Sequence, residues 1–251
     1  MQHFFAKPEN ITKEQIRIDG ADVNHMKNVL RMKIGEEVSV SDGISDTEYR
    51  CEVEAFLEDE VLLKIRFVKE DGVELPAKII LFQGLPKADK MELIVQKAVE
   101  LGAAEIVPVA MDRCVMKIDA KKEKNKIERW QGIAEAAAKQ SKRGVLPNVT
   151  KVMSMKEACK YAQELDVVAI PYELAEGMEA TKGWLQKCSD AESIGIFIGP
   201  EGGFAEKEVA LVEEIGGSAI SLGRRILRTE TAGLTTLSIL MYHLEIGQEN
   251  N

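Results

Sequence analysis

A chain of 251 residues that is 45% hydrophobic and 30% charged can bury a core as one large domain, or as one domain with a smaller companion. Its net charge of −9 argues against strong, non-specific nucleic-acid binding, which needs clustered Lys and Arg to neutralise phosphates. No run of about 18 apolar residues offers a membrane span, and Met1-Gln2-His3-Phe4-Phe5 lacks the charged-then-apolar order of a secretory signal.

The charge is unevenly spread. Residues 1–72 carry ten Lys and Arg against sixteen Asp and Glu, whereas residues 117–143 carry nine against four. That basic stretch includes Lys121, Lys122, Lys124, Lys126, Arg129, Lys139, Lys142 and Arg143. It reads either as a solvated helix face or as a phosphate-contacting surface. Lys27, Arg31 and Lys33 form a second, smaller cluster. Cys51, Cys114, Cys159 and Cys188 are far apart and make no Cys-x-x-Cys pair, so no zinc site is expected. A reduced, cytoplasmic protein with no membrane partner is the simplest expectation.

The first seventy residues alternate as strands do. Glu37 to Ser41 ends in the turn signal Asp42-Gly43; Cys51, Val53 and Ala55 alternate with acidic residues; Val61, Leu63 and Ile65 follow with period two. Short strands joined by turns suggest a small β-barrel. Asp22 to Met32 is predicted helical, since Val23, Met26, Val29 and Leu30 recur at helical spacing with Asp22 available as N-cap. Residues 69–77 read as a linker, which sets the expected domains at 1–72 and 73–251.

Beyond it, short apolar runs alternate with helical patterns. Strands are predicted at Lys78 to Phe82, Ile106 to Val109, Val167 to Ile170, Ile194 to Ile198 and Ala219 to Leu222. Helices are predicted around Met91 to Ala98 (closed by Gly102), Lys122 to Gln140, Ala205 to Ile215 and Glu230 to Ile246. Strand–helix alternation of this kind implies an α/β fold: a parallel sheet with helices on both faces, whose ligands bind beyond the carboxyl ends of the strands.

Two strand ends carry unusual chemistry. Ile198-Gly199-Pro200-Glu201-Gly202-Gly203-Phe204 follows a buried strand, and its glycines would let backbone approach a ligand closely. A tight strand-to-helix turn would also use Gly and Pro. It is neither Gly-x-Gly-x-x-Gly nor a phosphate loop, which disfavours a nucleotide-dependent oxidoreductase. Leu222-Gly223-Arg224-Arg225-Ile226-Leu227-Arg228-Thr229-Glu230-Thr231-Ala232 also leaves a strand and opens a helix. Capping and the helix dipole account for Thr229 and Glu230. They do not account for three arginines, which call for an anion or carboxylate.

Together these segments resemble the bacterial 16S ribosomal RNA uridine N3-methyltransferases of the knotted SPOUT superfamily. Val29-Leu30-Arg31-Met32 with Gly35, Lys90-Met91-Glu92, Gln96-Lys97, Glu100-Leu101-Gly102, Arg113, Trp130 and the stretch Ala134 to Gln140 extend the resemblance along the chain. It implies a C-terminal parallel sheet threaded into a trefoil knot, a PUA-like RNA-binding barrel at the N-terminus, and a homodimer. S-adenosyl-L-methionine is the implied cofactor, and 16S ribosomal RNA in the small subunit the implied substrate. The cofactor loops map onto Pro171-Tyr172-Glu173, onto Ile198, Gly199, Pro200, Gly202 and Gly203, and onto Leu222, Gly223, Ile226 and Leu227, with Thr231 and Ala232 beside them. Lys27, Arg31, Lys33, Lys87, Lys90, Arg113, Lys142 and Arg143 are the expected RNA contacts.

The chemistry of that reading is mainly positioning, because the donor methyl is already activated. Arg228 could stabilise the anion left when uracil N3 loses its proton. Glu230 or Glu201 could take the proton, or Glu201 could pair with an arginine and order its loop. A non-catalytic RNA-binding or ribosome-assembly protein on the same scaffold is the alternative.

Overall fold

The computed structural model describes residues 1–70, 72–175 and 177–249; Asp71, within the expected linker, lies outside the described residues. Two compact units emerge. One comprises the described residues up to 74 together with 138–146; the other comprises 75–137 and the described residues from 147 onward.

The first unit is a five-stranded sheet built from β1 (Gln2–Phe5), β2 (Gln15–Ile18), β3 (Glu37–Ser41), β4 (Glu48–Phe56) and β5 (Val61–Lys69), in the order β1-β3-β4-β5-β2. β1 and β3 are parallel and the remaining pairs antiparallel. Period-two alternation sends Ile16, Ile18, Val38, Val40, Cys51, Val53, Val61 and Leu63 into one core with Phe4 and Met26. The expected helix at 22–32 is shorter and wider. α1 (Ala21–Asn24) passes into a π-helical turn at His25–Val29, preceded by Gly20 at φ 69°. Asp22 is therefore inside the helix and not its cap; its carboxylate holds Lys139 at 2.8 Å. Val23 and Met26 are buried as their spacing predicts, whereas the wide turn leaves Val29 exposed.

The second unit runs β6 (Lys78–Gly84), α2 (Lys90–Glu100), β7 (Ala103–Ala110), α3 (Ala120–Ser141), β8 (Asn148–Val149), β9 (Met153–Ser154), α4 (Met155–Ala162), β10 (Val167–Pro171), α5 (Glu179–Cys188), β11 (Ser193–Ile198), α6 (Glu206–Glu214), β12 (Ser218–Ile220) and α7 (Thr229–Glu249). Its sheet is parallel, in the order β12-β10-β11-β6-β7-β8, with β9 also on β7. Ile79 to Phe82 and Ile194 to Ile198 are near-continuous apolar runs because helices cover both faces. α2 and α5 pack with α7, and α4 packs with α6. α4 and α5 are additions to the predicted elements. α4 opens with a capping box between Ser154 and Glu157. The strand expected at 219–222 ends at Ile220, which leaves Ser221 and Leu222 in the loop. Among the described residues no helix is long and apolar enough to cross a membrane.

Candidate active site

Sequence order and sheet order part company around β10, β11 and β6, where β11 lies between β10 and β6. A parallel sheet forms a crevice beyond its carboxyl ends at such a place. Here the loops after β10, β11 and β12 converge on a cavity of about 440 Å³. Pro171, Tyr172 and Glu173 line it from the first loop; Ile198, Gly199, Pro200, Glu201, Gly203 and Phe204 from the second; and Ser221 through Arg228 from the third. Lys90, Thr229 and Ala232 complete the wall. The segments singled out in the sequence are thus brought together, except that Gly202, Glu230 and Thr231 are not on the wall.

Gly202 is needed for another reason. A Cβ there would stand 2.9 Å from Cβ of Arg113, whose Nη1 donates to the Gly202 carbonyl at 3.0 Å. Gly203 has φ 68°, and its N–H donates to Pro200 O at 2.9 Å, which closes the turn. The loop also rests on β6: a Cβ on Gly84 would come within 2.8 Å of the nitrogen of Pro200. Glu208, buried at the start of α6, accepts from the N–H of Asp112 and of Ala205, both at 2.8 Å, and so ties the loop after β7 to the loop after β11.

The third loop is anchored from α5. Thr181 Oγ1 donates to Ser221 O at 2.8 Å and accepts from Ser221 N at 3.1 Å. At the end of the loop, Thr229 Oγ1 donates to Gly199 O at 2.6 Å and accepts from Gln83 Nε2 at 2.9 Å. Gln83 is fully buried on β6. Sequence reading could treat Thr229 as a cap, but Gln83, Thr181 and Ser221 carry no local signal because their partners are distant in the chain.

The charged groups sort into two sets. Lys90 Nζ is 2.9 Å from Glu201 Oε1 and 3.3 Å from Glu230 Oε2, a buried oxygen without a hydrogen-bond donor. The Lys87 N–H also donates to Glu201. Burial works to raise the Glu201 carboxyl, but the hydrogen bond from Lys90 and the backbone donors outweigh it and hold the group below its ordinary range. The hydrogen bond to Glu201, aided by Glu230, in turn raises Lys90. The partner of Glu201 is therefore a lysine, not the arginine considered from sequence. Arg224, Arg225 and Arg228 form the second set, exposed at the cavity mouth.

The expected RNA contacts scatter. Arg31, Lys33, Lys87, Arg113 and Lys142 are exposed. Lys27 donates to the carbonyls of Leu57 and Glu58, and Lys90 is held by carboxylates. Arg143 must be corrected: it is 4% exposed, and its Nε stands 3.1 Å from both oxygens of Glu74, so it serves packing and cannot reach a phosphate.

Residues 73–241 match the RNA methyltransferase domain family, and residues 18–66 match the RNA methyltransferase PUA domain. A ribosomal RNA small subunit methyltransferase E of Bacillus subtilis (strain 168) is 37% identical over 257 residues, covering 98% of each chain. The chain belongs to the ribosomal RNA small subunit methyltransferase E family. The domain match begins just before β6 and ends within α7, so it takes in all three cavity loops. Two solved structures are similar over 96% of this chain. One is a ribosomal RNA small subunit methyltransferase E from Neisseria gonorrhoeae bound to S-adenosyl methionine, 27% identical with a TM-score of 0.81, covering 97% of that chain. The other is a Legionella pneumophila structure described as a methyltransferase with bound cofactor SAM, 30% identical with a TM-score of 0.82, covering 96% of that chain.

Proposed function

We propose that this chain transfers a methyl group from S-adenosylmethionine to N3 of a uridine in 16S ribosomal RNA of the small subunit. The observation that carries the reading is the cavity ringed by three strand-end loops, with Arg228 at its mouth. A volume of about 440 Å³ falls in the range of small-molecule pockets. The donor set fits the cofactor: Ile198, Leu222, Leu227 and Ala232 offer aliphatic walls for an adenine ring, and the backbone at Gly199, Gly203 and Gly223 offers polar edges. Glu173 and Glu201 line the same cavity, and their carboxylates would suit a ligand that carries positive charge.

The cofactor supplies a methyl that is already electrophilic, so the protein's task is alignment. Arg228 faces the incoming base and favours the uracil anion by opposing the charge spread onto its carbonyl oxygens, while the N3 proton leaves to water at the open mouth. Lys90 bridges Glu201 and Glu230, screening their repulsion, and orders the second loop against the opening of α7. Both carboxylates are thereby assigned to positioning rather than to proton transfer.

The unit containing β1 to β5 holds RNA in this reading through Arg31, Lys33 and Lys142, and Lys87 and Arg113 are the retained contacts on the unit that carries the cavity. The division near residue 73, the homodimer and the knotted path belong to the same proposal. The path is supported by the chain leaving β12 at the sheet edge and returning to set Thr229 against Gly199 and Gln83.

Calorimetric titration with S-adenosylhomocysteine, followed by methyl incorporation into unmethylated small subunits, tests the reading. Binding with incorporation at uridine N3 is expected. Binding without incorporation would favour a non-catalytic assembly protein, and no binding would overturn the cofactor assignment.

A further inference from the structure

The loop between Gly223 and Thr229 carries more cationic and apolar surface than a cofactor wall requires. Ile226 is 85% exposed, the highest value among the large hydrophobic side chains described. A single exposed isoleucine would be unremarked on any surface. Here it sits between Arg225 and Leu227 on the rim of the cavity, with Arg224, Arg225 and Arg228 all exposed around it. Three guanidiniums within five residues is an unusual concentration for a chain of net charge −9. Leu222 and Leu227, the aliphatic neighbours, are by contrast partly buried.

We propose that this rim is the element that extracts the target nucleotide: Arg224 and Arg225 hold the phosphates on either side of it, and Ile226 fills the stacking gap it leaves. The inference rests on the methyltransferase reading above and names how that site takes its RNA. A base can reach a methyl donor set inside a cavity only when it is unstacked from its neighbours. Proteins that unstack nucleotides commonly insert an aliphatic wedge, and arginine forks match phosphate oxygens. Exposure, position on the rim and flanking cations then have one explanation. A second copy of this chain is the competing occupant. A self-complementary contact centred on Ile226 would bring two sets of three arginines together, which like-charge repulsion opposes. Ile226, expected among the cofactor contacts, becomes an RNA contact in this account.

Three variants separate the possibilities: Ile226→Ala, Ile226→Met and the double variant Arg224→Ala/Arg225→Ala. Each is measured for S-adenosylhomocysteine binding, for kcat and KM on unmethylated small subunits, and for subunit affinity against salt. Ile226→Ala should bind S-adenosylhomocysteine as the wild type does, with kcat at least about tenfold lower, and Ile226→Met should restore most of it. The double variant should lower the magnitude of the slope of log affinity against log salt by about 1.4, the value for two phosphates on single-stranded nucleic acid. The proposal is overturned if Ile226→Ala turns over normally, or if the double variant keeps the wild-type slope. It is also overturned if Ile226→Ala weakens S-adenosylhomocysteine binding, which would make Ile226 a cofactor wall. A variant that dissociates in sedimentation would make the rim a contact between copies. A wild-type protein that binds no S-adenosylhomocysteine would refute the enzyme reading instead, and the salt slope would still report on the rim.

Discussion

The hydroxyl of Thr229 lies 2.6 Å from the carbonyl oxygen of Gly199 and donates to it, so the first residue of the last helix holds the loop that follows β11. The Thr229 hydroxyl oxygen also accepts from Nε2 of the fully buried Gln83. Thr229→Val keeps the shape and removes both bonds. It leaves the Gln83 amide and the Gly199 carbonyl without this partner, at a cost of roughly 1–3 kcal/mol. Thermal unfolding should register that loss, and titration should show weaker S-adenosylhomocysteine binding. Unchanged affinity would mean that Gly199 keeps its geometry without Thr229.

Gly84 tests the same loop from beneath. A Cβ there would stand 2.8 Å from the Pro200 nitrogen and 2.9 Å from Met111 Sδ. Pro200 is backbone of the cavity wall and cannot rotate away. Gly84→Ala should weaken S-adenosylhomocysteine binding although residue 84 does not line the cavity. Wild-type affinity would show that the loop shifts freely.

Arg228 is expected to act in the transfer step and not in cofactor binding. It is exposed on the rim, where its fork can face a base. Arg228→Ala should bind S-adenosylmethionine nearly normally and methylate subunits about a hundredfold or more slowly. Arg228→Lys keeps the charge but loses the planar fork, so it should rescue only in part. Wild-type turnover in the alanine variant would remove Arg228 from the mechanism.

The Lys90 cluster predicts a pH response of defined sign. Glu201 is held below its ordinary value, so its stabilising contribution is complete above about pH 4.3 and is lost as pH falls through the lower folded value. Lys90 is raised, so its contribution is complete below about pH 10.4 and is lost as pH rises through the higher folded value. Stability should therefore be level between about pH 6 and 9 as far as this cluster is concerned. Lys90→Met leaves Glu201 and Glu230 facing one another. Its defect should be larger at pH 8 than at pH 5, because protonation of one carboxyl relieves the repulsion. An equal defect at both values would refute the screening role.

Arg143 and Glu74 predict a stability effect without a catalytic origin. The pair is nearly buried, with side chains 5% and 15% exposed. Glu74→Ala strips the guanidinium of this carboxylate and should cost on the order of 3 kcal/mol in chemical denaturation. A change below about 1 kcal/mol, typical of surface pairs, would show that the remaining environment of Arg143 satisfies it.

Much of this molecule is written locally. Period-two alternation placed β3, β4 and β5; continuous apolar runs placed β6, β7, β10 and β11; and helical spacing placed Met91, Ile94, Val95 and Ala98 on the buried face of α2. Glycine-rich and arginine-rich strand ends marked two of the three cavity loops, because the need for close backbone approach or for exposed cations is met by residue type alone. The short elements β1, β2, β8 and β9 have too few residues to show a period, and α4 and α5 passed without a signal strong enough to place them. Partner choice was legible only in the fold. Lys87 and Glu201 are 114 residues apart, Gln83 and Thr229 146 apart, and Arg143 and Glu74 69 apart. No property of a lysine or arginine in isolation says whether it will meet a phosphate or a carboxylate. At the cavity strand order decides that, since a parallel sheet brings together the ends of segments that local pattern leaves unrelated; in the first unit burial decides it, since the buried Arg143 must find an opposite charge.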